Sequence, residues 1–118
     1  MGSPLMKPGD LYLGQFPFGD APGMKLRPVL LLSNGTGLLG EVLVAYISSV
    51  VPPDHLGTDM LLDPEVDADR DTNLKVRSVV RLHKLATIHR SSLVRFLGRM
   101  SPARFAEAQA TLRLWLQL

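Results

Sequence analysis

A chain of 118 residues is long enough for one hydrophobic core and too short for two, so the sequence predicts a single domain. Its composition, 46% hydrophobic and 20% charged with a formal net charge of +2, is typical of a globular protein, and its longest apolar runs are too short for a membrane-spanning helix. The absence of cysteine excludes disulfides and thiolate metal sites and favours a cytoplasmic protein.

The first half of the chain alternates strand patterns with turn residues. Residues 9–16 alternate polar and apolar side chains, which predicts a strand, and the proline- and glycine-rich residues 17–23 predict a loop. The unbroken apolar run at 27–33 predicts a strand buried on both faces, and its early proline indicates a strand start or a sheet edge. An Asn-Gly turn signal at 34–37 joins it to an alternating strand at 41–49.

The second half contains further strand patterns and ends in a helix. A short strand at 59–63 precedes an acidic, exposed connector at 64–73, and residues 75–90 predict one or two strands rich in Val, Ile and Leu. A helix is predicted over 101–118, because its serine and proline stand in the order of an N-cap and a first helical residue. Five apolar residues recur on one face of this helix, which indicates packing in the core or in a dimer: Phe105, Ala108, Leu112, Trp115 and Leu116. The predicted architecture is mainly β with a C-terminal helix, a compact and mostly antiparallel barrel.

Charge is distributed unevenly along the second half. The following segment is acidic apart from one arginine: Asp54, Asp59, Asp63, Glu65, Asp67, Asp69 and Asp71. The next segment, from 72 to 106, has no acidic residue and carries these cations: Lys75, Arg77, Arg81, Lys84, Arg90, Arg95, Arg99 and Arg104. Such a run is typical of a surface that faces a polyanion, and it is equally consistent with cations that solvate several strand faces.

One acidic segment has the spacing of a calcium loop but lacks its essential residues. Oxygen ligands stand at alternate positions: Asp67, Asp69, Asp71 and Asn73. Thr72 occupies the position that requires glycine, and Ser78 occupies the position that requires a bidentate glutamate. We therefore expect a solvated acidic loop, no metal site and no cofactor.

Candidate catalytic side chains are few. His83 and His89 would lie about 20 Å apart on a straight strand, too far for one phosphate, although a bend leaves His83 as a candidate. Arg27 directly precedes a buried strand, and Ser48 and Ser49 end the next one. A guanidinium and two hydroxyls offer the donors that hold a phosphate, but an arginine at the barrel rim with two ordinary strand-end serines explains the same residues.

Five segments together resemble a known family. In order along the chain they read GDLYLGQFPF, KLRPVLLLS, VAYISS, SVVRLHKLATI and FLGRMSPARFAEAQATLRLWL. Their order and spacing are similar to those of the MazF/PemK toxins of type II toxin–antitoxin systems, from about Lys7 to Leu116. Residues 7–118 are accordingly expected to be one MazF/PemK-like domain, and 1–6 an N-terminal extension or an expression remnant.

The resemblance implies a fold, an activity and partners. The fold is an SH3-like barrel of the CcdB/MazF type that forms a homodimer. The activity is metal-independent, sequence-specific cleavage of single-stranded mRNA, in which a ribose 2′-hydroxyl attacks the adjacent phosphate to give 2′,3′-cyclic phosphate and 5′-hydroxyl ends. The implied partners are single-stranded RNA and a cognate antitoxin, small, acidic and partly disordered.

The resemblance also assigns residues. The family's catalytic arginine before proline falls on Arg27, and Ser48 stands where the family has threonine, keeping the hydroxyl but not the methyl. The segment LHKLAT places His83 and Lys84 where the family has acidic and glutamine residues, which makes His83 a secondary candidate for proton transfer.

Further residues are expected to bind RNA. A loop at 17–26 would close over it, with Phe18 stacking on a base and Lys25 contacting a phosphate. Ser49, Lys75, Arg77 and Lys84 complete the predicted RNA-binding set.

A different class of function remains open. A catalytically inactive or CcdB-like toxin would use the same barrel and dimer to bind a protein target such as DNA gyrase. The arginine–proline pair and Ser48 argue against it, because a protein-binding toxin does not need a phosphate clamp.

Overall fold

The computed structural model describes residues 6–17, 24–34 and 40–118 and contains six strands and one α-helix in these ranges. The strands are β1 (Asp10–Pro17), β2 (Met24–Ser33), β3 (Glu41–Ser48), β4 (Asp59–Leu62), β5 (Ser78–His89) and β6 (Leu93–Arg99). The helix is α1 (Pro102–Leu116), and two short 3-10 segments cover Asp67–Thr72 and Arg90–Ser92. The prediction of a mainly antiparallel β fold with a C-terminal helix is confirmed. Within the described residues, no helix has the length and apolar character needed to cross a membrane.

The strands form one antiparallel sheet in the order β4-β5-β3-β2-β1-β6. The segment between β4 and β5 brings the two edges of this sheet together. Its 3-10 segment ends at Asn73, whose Nδ2 donates to the Leu97 carbonyl on β6 at 2.9 Å. The connector, which begins after edge strand β4, is therefore anchored to edge strand β6.

Hydrophobic side chains form a core on each face of the sheet. The first core lies under α1 and comprises Leu11, Leu30, Ala45, Ile47, Met60, Leu62, Val80, Leu82, Met100 and Ala108. The second core lies on the opposite face and comprises Tyr12, Phe16, Val29, Leu31, Val42, Val44, Ile88 and Leu93. Val29, Leu30 and Leu31 of β2 are fully buried and contribute to both cores in turn, which confirms the prediction of a strand buried on both faces.

The hairpin of β1 and β2 is longer than the sequence predicts. β2 begins at Met24, and Lys25 pairs with Phe16 of β1, so the loop predicted at 17–26 is shorter. Backbone pairing extends the ladder to the pair of Pro17 with Met24. The tip of this predicted loop, including Phe18, lies outside the described residues.

The sequence predicts that Pro28 lies at a strand start or at a sheet edge, and both predictions are wrong. It lies within β2, between β1 and β3, and pairs with Leu13. On the β3 side the position tolerates proline, because the β2–β3 ladder begins only at Val29 and no bond of that ladder requires the missing N–H.

The acidic connector is partly buried, contrary to the prediction of an exposed loop. Asp69 and Thr72 are 3% and 0% exposed. Asp69 accepts hydrogen bonds from Arg104 Nε at 2.8 Å and from the Asp63 backbone N–H at 2.9 Å. The sequence pattern misses this burial because the partner arginine lies far along the chain.

The terminal helix begins as predicted, but its apolar face is only partly covered. The Ser101 hydroxyl accepts from the Arg104 N–H at 3.3 Å, and proline follows the cap. Phe105, Ala108 and Leu112 pack on the first core. Trp115 and Leu116, however, are 51% and 48% exposed, so the predicted stripe extends beyond the core of the single chain.

Gly98 allows β6 to approach the connector closely. A Cβ atom on Gly98 would lie 2.3 Å from the Asp71 carbonyl oxygen and 2.7 Å from the Thr72 carbonyl group. These are backbone atoms, so relief requires the connector to move. We expect Gly98→Ala to lower the free energy of unfolding by about 1–3 kcal/mol, measured by urea denaturation. The control is Gly57→Ala, where a Cβ meets nothing within 4 Å. Equal stability of the two variants would contradict the prediction.

Candidate functional site

Arg27 lies in the N-terminal half of β2. It is exposed and pairs with Gly14 of β1. The β2–β3 ladder ends at the pair of Val29 with Tyr46. The predicted catalytic residues Arg27 and Ser48 therefore lie two residues beyond this pair, each on one of two neighbouring strands.

A cleft of about 280 Å³ opens beside this position. Its apolar lining is Leu13, Pro28, Ile47, Leu74, Val76 and Leu97, and its polar lining is Arg27, Ser49, Asn73, Lys75, Ser78 and Arg95. We call this feature the Arg27 cleft. It unites three residues predicted to belong to the site, Arg27, Ser49 and Lys75, and adds two that were not predicted to belong to it, Asn73 and Arg95.

The Arg27 cleft has the electrostatics of an anion-binding site. Arg27, Lys75 and Arg95 are all exposed, and no carboxylate lines the cleft. Among the described residues, none of these three cations forms an ion pair with a carboxylate. Three exposed cations around one opening favour a ligand with negative charge.

Two polar side chains of the cleft are held by the backbone. Besides the bond from Asn73 to the Leu97 carbonyl, the Ser78 hydroxyl donates to the Val76 carbonyl at 2.9 Å. Asn73 adopts a left-handed backbone conformation, with φ of 57°, which asparagine tolerates better than most residues. These two hydrogen bonds hold the two ends of the wall formed by residues 73–78.

Ser48 is half-buried and is not among the residues that line the cleft. Its hydroxyl oxygen accepts from the Val50 N–H at 3.1 Å and lies 3.3 Å from the Val50 carbonyl, to which it donates. A phosphate on this side of the sheet would compete with that carbonyl for the hydroxyl proton.

His83 and Lys84 lie on β5 and do not line the Arg27 cleft. Both fall within an irregularity of the β3–β5 ladder, between the pairs of Tyr46 with Arg81 and of Ala45 with Leu85. The irregularity carries Lys84 Nζ to 5.7 Å from the ring centre of Tyr46. Lys84 is exposed, so a cation and an aromatic ring stand together on this face.

The surroundings of His83 favour its neutral form. Nδ1 of His83 lies 2.7 Å from Thr58 Oγ1, and the ring meets Trp115 edge-on at 6.4 Å between centres. Burial lowers the pKa of His83, the charges of Arg81 and Lys84 lower it further, and Asp59 opposes them. His89, by contrast, bonds Ser91 and caps a 3-10 segment.

The lowered pKa of His83 predicts a dependence of stability on pH. The unfolded chain binds a proton at His83 near the usual pKa of about 6.5, and the folded chain binds it only at lower pH. The part of the folding stability that depends on neutral His83 is therefore fully present above about pH 6.5, and it is lost as the pH falls through the folded pKa. We expect His83→Gln to lose less stability than the wild type between about pH 7 and pH 5, measured by urea denaturation. His55→Gln, at an exposed loop position, should behave as the wild type. Identical losses in wild type and His83→Gln would contradict this.

The remaining predicted RNA-binding residues lie near the cleft or outside the described residues. Lys25 is exposed on β2, and Arg77 is exposed beside Lys75 in a shallow groove that also contains Asp63 and Glu65. Phe18 lies outside the described residues. In the described part of the chain, no three His, Asp or Glu side chains stand close enough together to hold a metal ion.

The fold is similar to those of several solved toxins. The Mycobacterium tuberculosis toxin MazF-mt6 is 24% identical with a TM-score of 0.70, and the match covers 92% of this chain and 97% of that chain. MazF of Deinococcus radiodurans is 19% identical with a TM-score of 0.69, covering 94% of each chain. A mycobacterial endoribonuclease in complex with its cognate antitoxin is 19% identical with a TM-score of 0.68, covering 98% of this chain and 97% of that chain. Among curated proteins, none matches the chain.

A family model covers almost the whole sequence. It describes the PemK-like, MazF-like toxins of type II toxin–antitoxin systems and matches residues 7–116. These residues include every strand, the helix and the full lining of the Arg27 cleft. The chain belongs to the PemK-like, MazF-like toxin family.

Proposed function

We propose that the protein is a toxin that acts as an endoribonuclease on single-stranded RNA, with Arg27 at its catalytic centre. The observation that carries this proposal is the Arg27 cleft, in which Arg27 stands with two further exposed cations, Lys75 and Arg95, and which no carboxylate lines. The family supports the toxin function. Solved structures of similar fold that are endoribonucleases support the activity.

In the proposed reaction the 2′-hydroxyl of a ribose attacks the adjacent phosphorus. The O2′–P bond forms and the P–O5′ bond breaks, which leaves a 2′,3′-cyclic phosphate and a 5′-hydroxyl. A base accepts the 2′-hydroxyl proton, and the departing 5′-oxygen takes up a proton. The phosphorane-like transition state carries additional negative charge on its oxygens, and no step requires a metal ion.

Arg27 suits the stabilisation of that charge. A guanidinium presents donors in a rigid fork that matches two phosphate oxygens, and it stays charged at any working pH. Its main chain is fixed by pairing with Gly14 on β1, so the group is mounted on a strand rather than on a loop. Ser48, on the neighbouring strand, would add a neutral donor to the same phosphate once its hydroxyl leaves the Val50 carbonyl.

The reaction also needs a group that accepts the 2′-hydroxyl proton. His83 stays a secondary candidate for proton transfer because its lowered pKa keeps the ring neutral, as a base must be. It lies outside the cleft lining, so this role requires an RNA path that reaches β5.

The proposed RNA path follows exposed cations and aromatic rings. Lys25 and Lys84 would contact phosphates on the face of Tyr46, and Phe18 would stack on a base. On the other side of Arg27, Ser49, Lys75 and Arg77 would continue the contacts to the backbone of the strand.

Two protein partners belong to the proposal. A homodimer would cover the apolar end of α1, where Trp115 and Leu116 are half-exposed. An acidic, partly disordered antitoxin segment would compete with RNA for the unpaired cations. Its support is that similar toxins, from a mycobacterial species and from Deinococcus radiodurans, have been solved in complex with antitoxins.

The activity is tested by incubating the purified protein with mixed-sequence single-stranded RNA in EDTA. We expect discrete cleavage products, and we expect the cognate antitoxin to suppress them. Intact RNA after incubation with the folded, dimeric protein would refute the proposal.

One observation favours a second candidate, a toxin that binds a protein target such as DNA gyrase. The end of α1 exposes large apolar side chains: Leu114, Trp115, Leu116 and Leu118. Expression in growing cells separates the two functions. Growth arrest with fragmented mRNA supports the nuclease, whereas arrest with intact mRNA and broken DNA supports the second candidate.

A further inference from the structure

The floor of the Arg27 cleft is apolar, which phosphate binding alone does not explain. Leu13, Leu74 and Leu97 are each half-buried, so part of each side chain remains exposed. Exposed apolar surface inside a concave, cationic site marks a place for an apolar part of the ligand. A phosphate does not have such a part, whereas a nucleotide does.

We propose that the Arg27 cleft is a subsite for one nucleotide of the RNA, with its base on the leucine floor and its phosphates on Arg95 and Lys75. This inference rests on the proposed function, and it adds Arg95, Asn73 and the leucine floor to the substrate-binding residues. The cleft places base and phosphate contacts next to Arg27, so the bound nucleotide would be close to the scissile phosphate.

The size of the cleft supports a single nucleotide. At about 280 Å³ it lies just below the range of small-molecule pockets, roughly 300–1,000 Å³. A planar base fits a narrow cleft with apolar walls, because either face of the ring makes favourable contacts with aliphatic side chains.

The positions of the polar groups support the same ligand. Lys75 and Arg95 come from two different segments that line the cleft, the one after the 3-10 segment and β6, so two cations are available for phosphates of the bound strand. Asn73 is fixed by the bond from its Nδ2 to the Leu97 carbonyl, and within the described residues its Oδ1 accepts no hydrogen bond. That oxygen is available to accept from an N–H group on the base edge.

The test separates base contacts from phosphate contacts with two labelled strands. One is a randomised 2′-O-methyl RNA of about twelve nucleotides, within the length that single-strand sites span, which has bases but no 2′-hydroxyl to attack. The other is a strand of abasic spacers with the same number of phosphates. Binding of each is measured by fluorescence anisotropy over a series of salt concentrations.

Leu13 lines the cleft and belongs to neither core cluster, so Leu13→Trp is designed to fill the cleft. We expect it to weaken binding of the methylated RNA about tenfold, the loss of one stacked base, and to leave binding of the abasic strand unchanged. Val94→Trp, at a 52% exposed position of β6 outside the cleft, is the matched control and should change neither. Should Leu13→Trp not fold, Val76→Trp at a 55% exposed position of the wall replaces it.

Arg95→Gln should weaken the binding of both strands by a similar factor and reduce the slope of log K against log salt by about 0.7, the value for one phosphate of a single strand. Arg113→Gln, an exposed arginine on α1 outside the cleft, is the charge-matched control.

Full retention of RNA affinity by the cleft-filled variant, or an equal loss for both strands, would overturn the nucleotide subsite. If the cleft-filled variant loses affinity for the antitoxin but not for RNA, the subsite is also overturned, because the cleft would then bind a protein. If the wild type cleaves ordinary RNA while Leu13→Trp binds as the wild type does, the nuclease proposal stands and only the subsite fails. If the wild type cleaves no RNA, the proposed nuclease function fails, whatever effect Leu13→Trp has on binding.

Discussion

Replacing Arg27 by alanine is expected to reduce the rate of RNA cleavage by about 10²–10³-fold, the usual loss when one group that stabilises transition-state charge is removed. The variant should fold normally, because Arg27 is exposed and forms no ion pair with any described residue. Initial rates on a fluorescent single-stranded RNA in EDTA, at enzyme concentrations above the Kd for RNA, report this loss.

Two controls separate catalysis from binding. Arg27→Lys keeps the positive charge but loses the fork of donors, and it should recover only a small part of the rate. Arg113→Ala removes a charge from α1, outside the cleft, and should cleave as the wild type does. Unchanged cleavage by Arg27→Ala would assign the catalytic role elsewhere.

Replacing Arg104 by leucine is expected to lower the free energy of unfolding by about 3–5 kcal/mol, because the change breaks a buried ion pair and leaves one charge behind. Arg104 Nε lies 2.8 Å from Asp69 Oδ1, and the Asp69 side chain is only 4% exposed. The same guanidinium donates to the Leu61 carbonyl of β4. Arg104 therefore ties α1 to the connector and to an edge strand.

The measurement is urea denaturation of Arg104→Leu beside Arg113→Leu, an exposed arginine on the same helix that should change stability by less than about 0.5 kcal/mol. Adding Asp69→Leu to Arg104→Leu removes the stranded carboxylate and should recover part of the loss. A cost of less than about 1 kcal/mol for Arg104→Leu would mean that water reaches Asp69 and that the pair contributes as a surface pair does.

Elements with strong local patterns were predictable from the sequence. The aliphatic run of β2 and the alternation of β3 depend on neighbouring residues, and both strands formed at nearly the predicted positions. The Ser-Pro start of α1 is a local capping signal, and the structure shows the expected hydrogen bond. The proposed catalytic roles of Arg27 and Ser48 depend on the family resemblance, since spacing alone also fits an arginine at the barrel rim.

What the sequence could not reveal depends on contacts between distant residues. Asp69 resembles any other acid of its segment, and only its approach to Arg104 explains why it is buried. The lining of the Arg27 cleft combines Leu13, Asn73 and Arg95 from three separate parts of the chain. The excess of cations after residue 72 was the one sequence signal that included Arg95, and it did not distinguish Arg95 from its neighbours.

The chemical identity of the RNA ends tests the proposed reaction most directly. Mass spectrometry of the fragments produced in EDTA should find 2′,3′-cyclic phosphate on one side of each cut and 5′-hydroxyl on the other, and Arg27→Ala should produce almost none. Fragments with 5′-phosphate and 3′-hydroxyl ends, or cleavage that EDTA abolishes, would contradict attack by the ribose 2′-hydroxyl with charge stabilisation by Arg27.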